Sequence, residues 1–224
     1  MRTTPFAALK SLFANSDEQA MWRVQHQDDA IAFAQLVRRW EKPIQNLCVR
    51  MTGDPHDAED LAQDVFARVF AKRAEYKPSA KFSTWIWRIA LNRCYDELRR
   101  RRLRSECSLE NDSGDDDFAL VEVLAAPDPA PDRAAANNEH AELVRQALLQ
   151  LPEAYRSTVI LRHYEDLKFR EIADVLDVPE GTVKSRMAEA MSQLARLLQP
   201  ALGNKSARGQ QPASQPKQIQ SSML

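Results

Sequence analysis

Glycine occurs only five times in 224 residues, cysteine three times and histidine four times. So few glycines leave no GxGxxG or GxxxxGK[ST] loop, which excludes the glycine-rich phosphate cradles. Cys48, Cys94 and Cys107 fall in no CxxC spacing and have no histidine nearby, which argues against a zinc module or a disulfide scaffold. His26, His56, His140 and His163 are scattered, and no catalytic dyad or metal cluster appears. No apolar run approaches the ~18 residues of a membrane helix, and Met1–Lys10 lacks a signal-peptide core. The net charge is −1, so neither sign dominates the whole. These absences point away from a zinc module, a glycine-rich phosphate loop and membrane insertion, and toward a cytoplasmic, mostly helical protein.

What the chain does hold is segregated charge. Residues 81–105 carry +6, residues 106–139 carry −9, and the tail 199–224 carries +3. A compact basic block followed by an acidic stretch suggests two surfaces for differently charged partners. Hydrophobic periodicity divides the chain in the same places. From Asp28 to Leu103 apolar residues recur at helical spacing, as in Ala32, Phe33, Leu36, Val37 and Trp40. Asp54-Pro55 supplies an N-cap and a first-turn proline. The helix it opens aligns Ala58, Leu61, Ala62, Val65, Phe66, Val69 and Phe70. Lys77-Pro78-Ser79 ends that pattern, and an aromatic-rich helix follows from about Thr84 to Arg102.

Residues 104–139 are too polar, acidic and proline-rich for a core and read as a flexible acidic linker. Periodicity returns over 140–198 in four short helices, and 199–224 reads as a disordered tail. The predicted fold is all-α: an N-terminal extension (1–27), a helical domain (28–103), the linker (104–139), a second helical domain (140–198) and the tail.

Three constellations carry chemistry. In the second domain, Phe169–Leu176, the turn Asp177-Val178-Pro179-Glu180-Gly181 and a helix from Thr182 form a helix-turn-helix. Ala173 permits a close crossing, Val178 plugs the turn, and Val183 with Met187 seats the second helix. Thr182, Lys184, Ser185, Ala188 and Glu189 then face outward where a recognition helix meets base edges. In the first domain, Asp57, Asp60 and Asp64 form an acidic ridge beside the apolar stripe, suited to a basic partner helix. Acids in a first turn also favour the helix dipole without any partner. On the following helix, Trp85 and Trp87 cannot both face the core. An exposed tryptophan beside Arg88, Asn92 and Arg93 is how proteins stack on unpaired bases, and Arg99 to Arg102 add a phosphate grip. Core tryptophans and a solvated basic helix end are the structural alternative.

Taken in order and spacing, these signals resemble a bacterial sigma-70 family RNA polymerase sigma factor of the extracytoplasmic-function (ECF) group. They are Asp57-Ala58-Glu59-Asp60-Leu61 with Gln63-Asp64-Val65-Phe66, Phe82–Ala90, Leu151-Pro152-Glu153, and Gly181-Thr182-Val183-Lys184-Ser185-Arg186. The resemblance covers about 28–198. It implies that Asp57, Glu59, Asp60 and Asp64 dock on the clamp helices of the largest polymerase subunit. It implies that Phe82, Ser83, Thr84, Trp85, Trp87, Arg88, Asn92, Arg93, Arg99 and Arg100 melt and read the minus-ten element of promoter DNA. Arg170, Thr182, Lys184, Ser185, Arg186, Ala188 and Glu189 would read the minus-thirty-five element, with the domain resting on the flap of the second-largest subunit. An anti-sigma factor is the implied regulatory partner, and neither cofactor nor metal is implied.

The sequence departs from that family at Ala188, Glu189 and Met191, where an aromatic or basic residue and further arginines are usual. A glutamate there repels phosphates or accepts from a cytosine amino group. Two rivals are a free-standing helix-turn-helix regulator and a sigma-mimicking interaction protein. The near-neutral second domain disfavours the first, and the basic base-stacking helix disfavours the second.

Overall fold

Ser16 caps the first described helix by accepting the Gln19 N–H at 3.2 Å, a cap worth about 1 kcal/mol. The structure, a computed structural model, describes residues 16–77, 81–109 and 131–208, which form eight α-helices, one short 3-10 turn and no strand. Helix α1 (Asp17–Gln27) buries Ala20, Met21 and Val24. Asp17 accepts the Trp40 indole N–H at 3.0 Å, and Glu18 Oε1 accepts the backbone N–H of Phe82 at 3.1 Å. That last bond satisfies one of the unpaired donors at the start of a helix. Residues 17–27 are therefore part of the N-terminal helical body, where the sequence reading began that body only at Asp28.

Asp29 caps α2 (Ala30–Thr52) through the N–H groups of Ile31 and Ala32, both at 2.9 Å. The helix ends at Gly53, whose φ of 81° is left-handed. Asp54 then caps α3 (Pro55–Ala71) with Pro55 in its first turn, as the sequence predicts. A 3-10 turn at Arg73–Glu75 leads to α4 (Phe82–Leu109). Leu36, Leu47, Leu61, Val65, Ile86 and Leu91 fill the space between α2, α3 and α4. Cys48 and Cys94 meet there with sulfurs 3.7 Å apart. The Cys48 thiol beside it, together with burial, pushes the Cys94 thiol well up from its ordinary value.

The C-terminal half comprises α5 (Pro131–Gln150), α6 (Glu153–His163), α7 (Phe169–Leu176) and α8 (Glu180–Arg208). Two of the four are long, where short helices were expected. Pro131 suits a first helical position and Ala134 to Ala136 are strong helix formers, so helix begins inside the stretch read as linker. Likewise α4 runs past Arg102 and α8 runs into 199–208. The acidic composition is a statement about solubility, which a helix tolerates. The remaining linker (110–130), the tail from 209 and residues 1–15 lie outside the described residues.

The two halves are docked. Buried Ile160, Leu161, Ile172, Val175 and Val183 join the N-terminal core as one cluster, and a smaller cluster of Leu148, Leu151, Met187 and Leu194 seats α8 on α5 and α6. Tyr95 Oη donates to Ser157 Oγ at 2.8 Å across the junction. A Cβ added at Gly53 would lie 2.9 Å from Leu149 Cδ1, so this glycine also lets α5 approach the end of α2.

Candidate nucleic-acid and docking interfaces

The apolar stripe of α3 turns Glu59, Asp60 and Asp64 to solvent, with Asp57 half-buried. The four carboxylates are not equivalent. Asp57 contacts Arg101 of α4, and Asp64 Oδ2 lies 2.6 Å from the Arg93 guanidinium. Glu59 and Asp60 have no charged partner among the described residues. The ridge is thus half neutralised by α4 and half open.

Helix α4 sorts its site residues by face. Phe82 and Trp87 are buried, and the Trp87 ring meets Trp40 edge-on at 5.4 Å between centroids. Of the two tryptophans that the spacing sets apart, Trp87 is the one in the core, held there by Trp40 from the facing helix, so a stacking role falls to Trp85 and not to Trp87. Phe82 likewise packs against Trp40 and Tyr76. Ser83, Thr84 and Trp85 are half-buried, with Trp85 tilted against Tyr76 at 5.2 Å. Asn92, Arg99 and Arg100 are exposed. Arg93 is tied down by Asp64 and, at 3.5 Å, by Asp96, so its charge is spent inside the chain. Arg100 contacts the buried Glu97.

Arg88 reaches the other half of the molecule. Its Nε donates to the Val175 carbonyl at 3.3 Å, and its guanidinium also reaches the Asp174 carbonyl and, at 3.6 Å, the Asp177 carboxylate. These groups end α7, where the helix dipole favours a cation. Between α4 and α7 lies an open groove of about 1040 Å³, bordered by Thr84, Trp85 and Arg88 on one side and Arg170, Glu171 and Asp174 on the other. Lys81 and Lys168 also border it. Sequence reading passed over both, although Lys81 stands immediately before the aromatic helix. Lys81 Nζ sits 2.6 Å from Glu171 Oε1. That hydrogen bond raises the Lys81 pKa and lowers that of Glu171.

The helix-turn-helix forms over α7, the turn and α8. Asp177 takes a left-handed conformation (φ 56°), and the Val178 N–H donates to the Ala173 carbonyl at 3.2 Å. Val178 packs against the core, while Val183 and Met187 seat α8. Lys184, Ser185, Ala188 and Glu189 are exposed, Thr182 and Arg186 half-buried, and Arg170 exposed on α7. The site residues therefore fall into three groups: an acidic ridge on α3, an aromatic and amide face on α4, and the outward face of α8. Only the second is brought against the C-terminal half.

Comparison with known proteins matches two family models, Sigma-70 region 2 over residues 36–104 and Sigma-70, region 4 over residues 141–194. The ECF RNA polymerase sigma factor SigW of Bacillus subtilis is 32% identical over 170 residues, covering 76% of this chain and 90% of its own. The RNA polymerase sigma-H factor of Pseudomonas aeruginosa is 33% identical over 195 residues, covering 85% of this chain and 98% of its own. Among solved structures, CnrH in complex with the cytosolic domain of CnrY aligns at a TM-score of 0.61 and 22% identity, over 83% of this chain and 99% of that one. RpoE in complex with the anti-sigma factor NepR from Bartonella quintana aligns at 0.60 and 22% identity, over 75% and 96%. These structural likenesses establish the helical fold.

Proposed function

The chain belongs to the sigma-70 family of RNA polymerase sigma factors, in its ECF group, and directs the polymerase to promoters; from that premise we propose how its residues divide the work. The N-terminal body (17–109) docks on core polymerase and opens the downstream element, and the C-terminal half (131–208) reads the upstream one. Glu59 and Asp60 supply the free part of the docking ridge for the basic face of the clamp helices. Trp85, Thr84, Asn92 and Arg88 face the unpaired strand, with Arg99 and Arg100 on its phosphates. The protein acts by binding in the cytoplasm, not by bond chemistry, and traps bases whose unstacking costs a few kcal/mol. An anti-sigma factor is the expected restraint.

The observation that carries this reading is the pairing of an open acidic pair on α3 with a helix α4 that carries the half-buried Trp85 and the exposed Asn92 on the same body. A free-standing regulator needs only the helix-turn-helix. The test is transcription from a promoter library with purified core polymerase, with and without the chain. The wild type should yield discrete start sites absent from core alone. The Glu59→Lys/Asp60→Lys double variant should keep its melting temperature while its affinity for core polymerase, read by fluorescence anisotropy, falls at least tenfold. Unchanged affinity would remove the docking assignment, and no start sites at all would favour the free-standing regulator.

A further inference from the structure

Opposite its buried stripe of Val183, Met187, Ala190 and Leu194, helix α8 presents Gly181, Ser185, Ala188 and Ser192. These short residues make a low floor along which a helix can lie deep in a groove. A Cβ added at Gly181 meets nothing within 4 Å, so packing within the chain does not call for a glycine at this helical position. Lys184, on the same first turns of α8, is held 2.7 Å from Glu180. Above this floor stands Glu189, its side chain about half exposed. It is placed by its neighbour one turn on: Gln193 Nε2 donates to Glu189 Oε1 at 2.8 Å, while Arg196 stays at 3.9 Å from the same oxygen. Oε2 is left to accept a further donor.

A carboxylate only accepts, and DNA offers it few donors. Phosphate oxygens repel it, and in the major groove the available donors are the amino groups of cytosine N4 and adenine N6. Adenine sets its acceptor N7 beside N6, which a carboxylate opposes, whereas the cytosine amino group has a C–H beside it. We propose that Glu189 is a specificity-determining residue that accepts from the N4 amino group of a cytosine in the upstream promoter element, and that Gln193 is its positioning residue. The proposal rests on the assignment of the C-terminal half to that element.

The test uses the full chain bound to core polymerase and a promoter library with the upstream element randomised and the downstream element fixed. The wild type should enrich C·G at one position, and replacing that pair should weaken binding roughly tenfold. Glu189→Ala should flatten the preference at that position alone. Glu189→Gln should admit adenine there, because an amide pairs with adenine N6 and N7. Gln193→Ala should reduce the cytosine preference several-fold, and Gln193→Lys, which restores a donor to Oε1, should recover it. An unchanged preference in Glu189→Ala overturns the proposal. So does a Glu189→Arg variant that tightens binding to every sequence alike, since Glu189 would then merely face phosphate. A wild-type polymerase complex that transcribes yet enriches no upstream base removes the underlying assignment instead, and the proposal with it.

Discussion

Trp85 and Trp87 stand two residues apart, about 200° around a helix of 3.6 residues per turn, so one ring entering the core turns the other away. The chain gives the core place to Trp87, where Trp40 meets it edge-on, and leaves Trp85 half-buried beside Tyr76. Trp87→Ala should therefore cost about 3–5 kcal/mol of stability in urea unfolding. Trp85→Ala should cost far less while abolishing permanganate reactivity of the opened promoter, since stacking is worth ~1–3 kcal/mol per base. Equal stability losses with normal opening in both would remove α4 from the melting role. That the two rings part company was legible from spacing alone. Which ring goes inside was not, because the deciding neighbour, Trp40, sits on another helix and reaches Trp87 only through tertiary packing. The same limit applies to Asp57 and Asp64: their place on a ridge is a periodicity, but the neutralising Arg101 and Arg93 lie on another helix. Glu59 and Asp60 are therefore the informative positions for charge reversal, because a lysine at Asp64 would set a like charge against Arg93 and unsettle the fold.

Among the elements, caps and turns were the readable parts. Asp54-Pro55 and Asp177-Val178-Pro179 mark boundaries through local chemistry, and α3 and α7 fall where those residues put them, while α8 begins at Glu180, directly after Pro179 and two residues before the expected Thr182. The end of α5 shows what local chemistry cannot reveal. Its last carbonyls are gathered by a buried arginine on the next helix: Arg156 Nε donates to Leu148 at 3.0 Å, and Nη2 donates to Leu151 at 3.0 Å and contacts Leu149. Its remaining nitrogen reaches the Met51 carbonyl at the end of α2. One planar fork thus closes two helix ends. Arg156→Met should leave several buried carbonyls unpaired at ~1–3 kcal/mol each, partly relieved by water. Urea unfolding should show the loss, and Arg156→Lys should restore little of it because an ammonium cannot span the same acceptors. Full rescue by lysine would mean that charge, not the fork, holds this corner.

At the scale of the whole molecule, the proposed reading meets a distance: docked as they are, the halves lie too close together for one to take each promoter element. A compact body of this length has a radius of gyration of about 17 Å. Elements centred 10 and 35 base pairs upstream lie about 85 Å apart along B-DNA. The proposed division of the two elements between the halves therefore expects the halves to separate on the promoter. In the closed form Arg88 gives its donors to the end of α7, so separation of the halves also frees a residue assigned to DNA.

Two carboxylates at the junction make closure pH-dependent in opposite senses. Glu165 lies 3.8 Å from Arg50, whose guanidinium covers the Tyr164 ring at 4.1 Å. Burial raises the Glu165 pKa despite that cation. The docked state therefore binds a proton there more readily than a separated state does, and this contribution to closure is lost as pH rises through the raised value. Glu171, lowered by its hydrogen bond to Lys81, contributes closure above the ordinary carboxylate value of 4.5 and loses it as pH falls through its own. Closure should thus strengthen as pH drops from neutral toward 4.5 and weaken again below it. Energy transfer between dyes at His56→Cys and Ser192→Cys, in a Cys107→Ser background, reads the separation. It should be high in the free chain and fall on binding core polymerase. Glu165→Gln should abolish the rise between neutral pH and the carboxylate range, and Glu171→Gln should abolish the fall below it. Transfer that is flat with pH in the unsubstituted chain would mean that neither carboxylate is set by docking, and that apolar contacts through Ile160, Leu161 and Ile172 hold the halves together unaided.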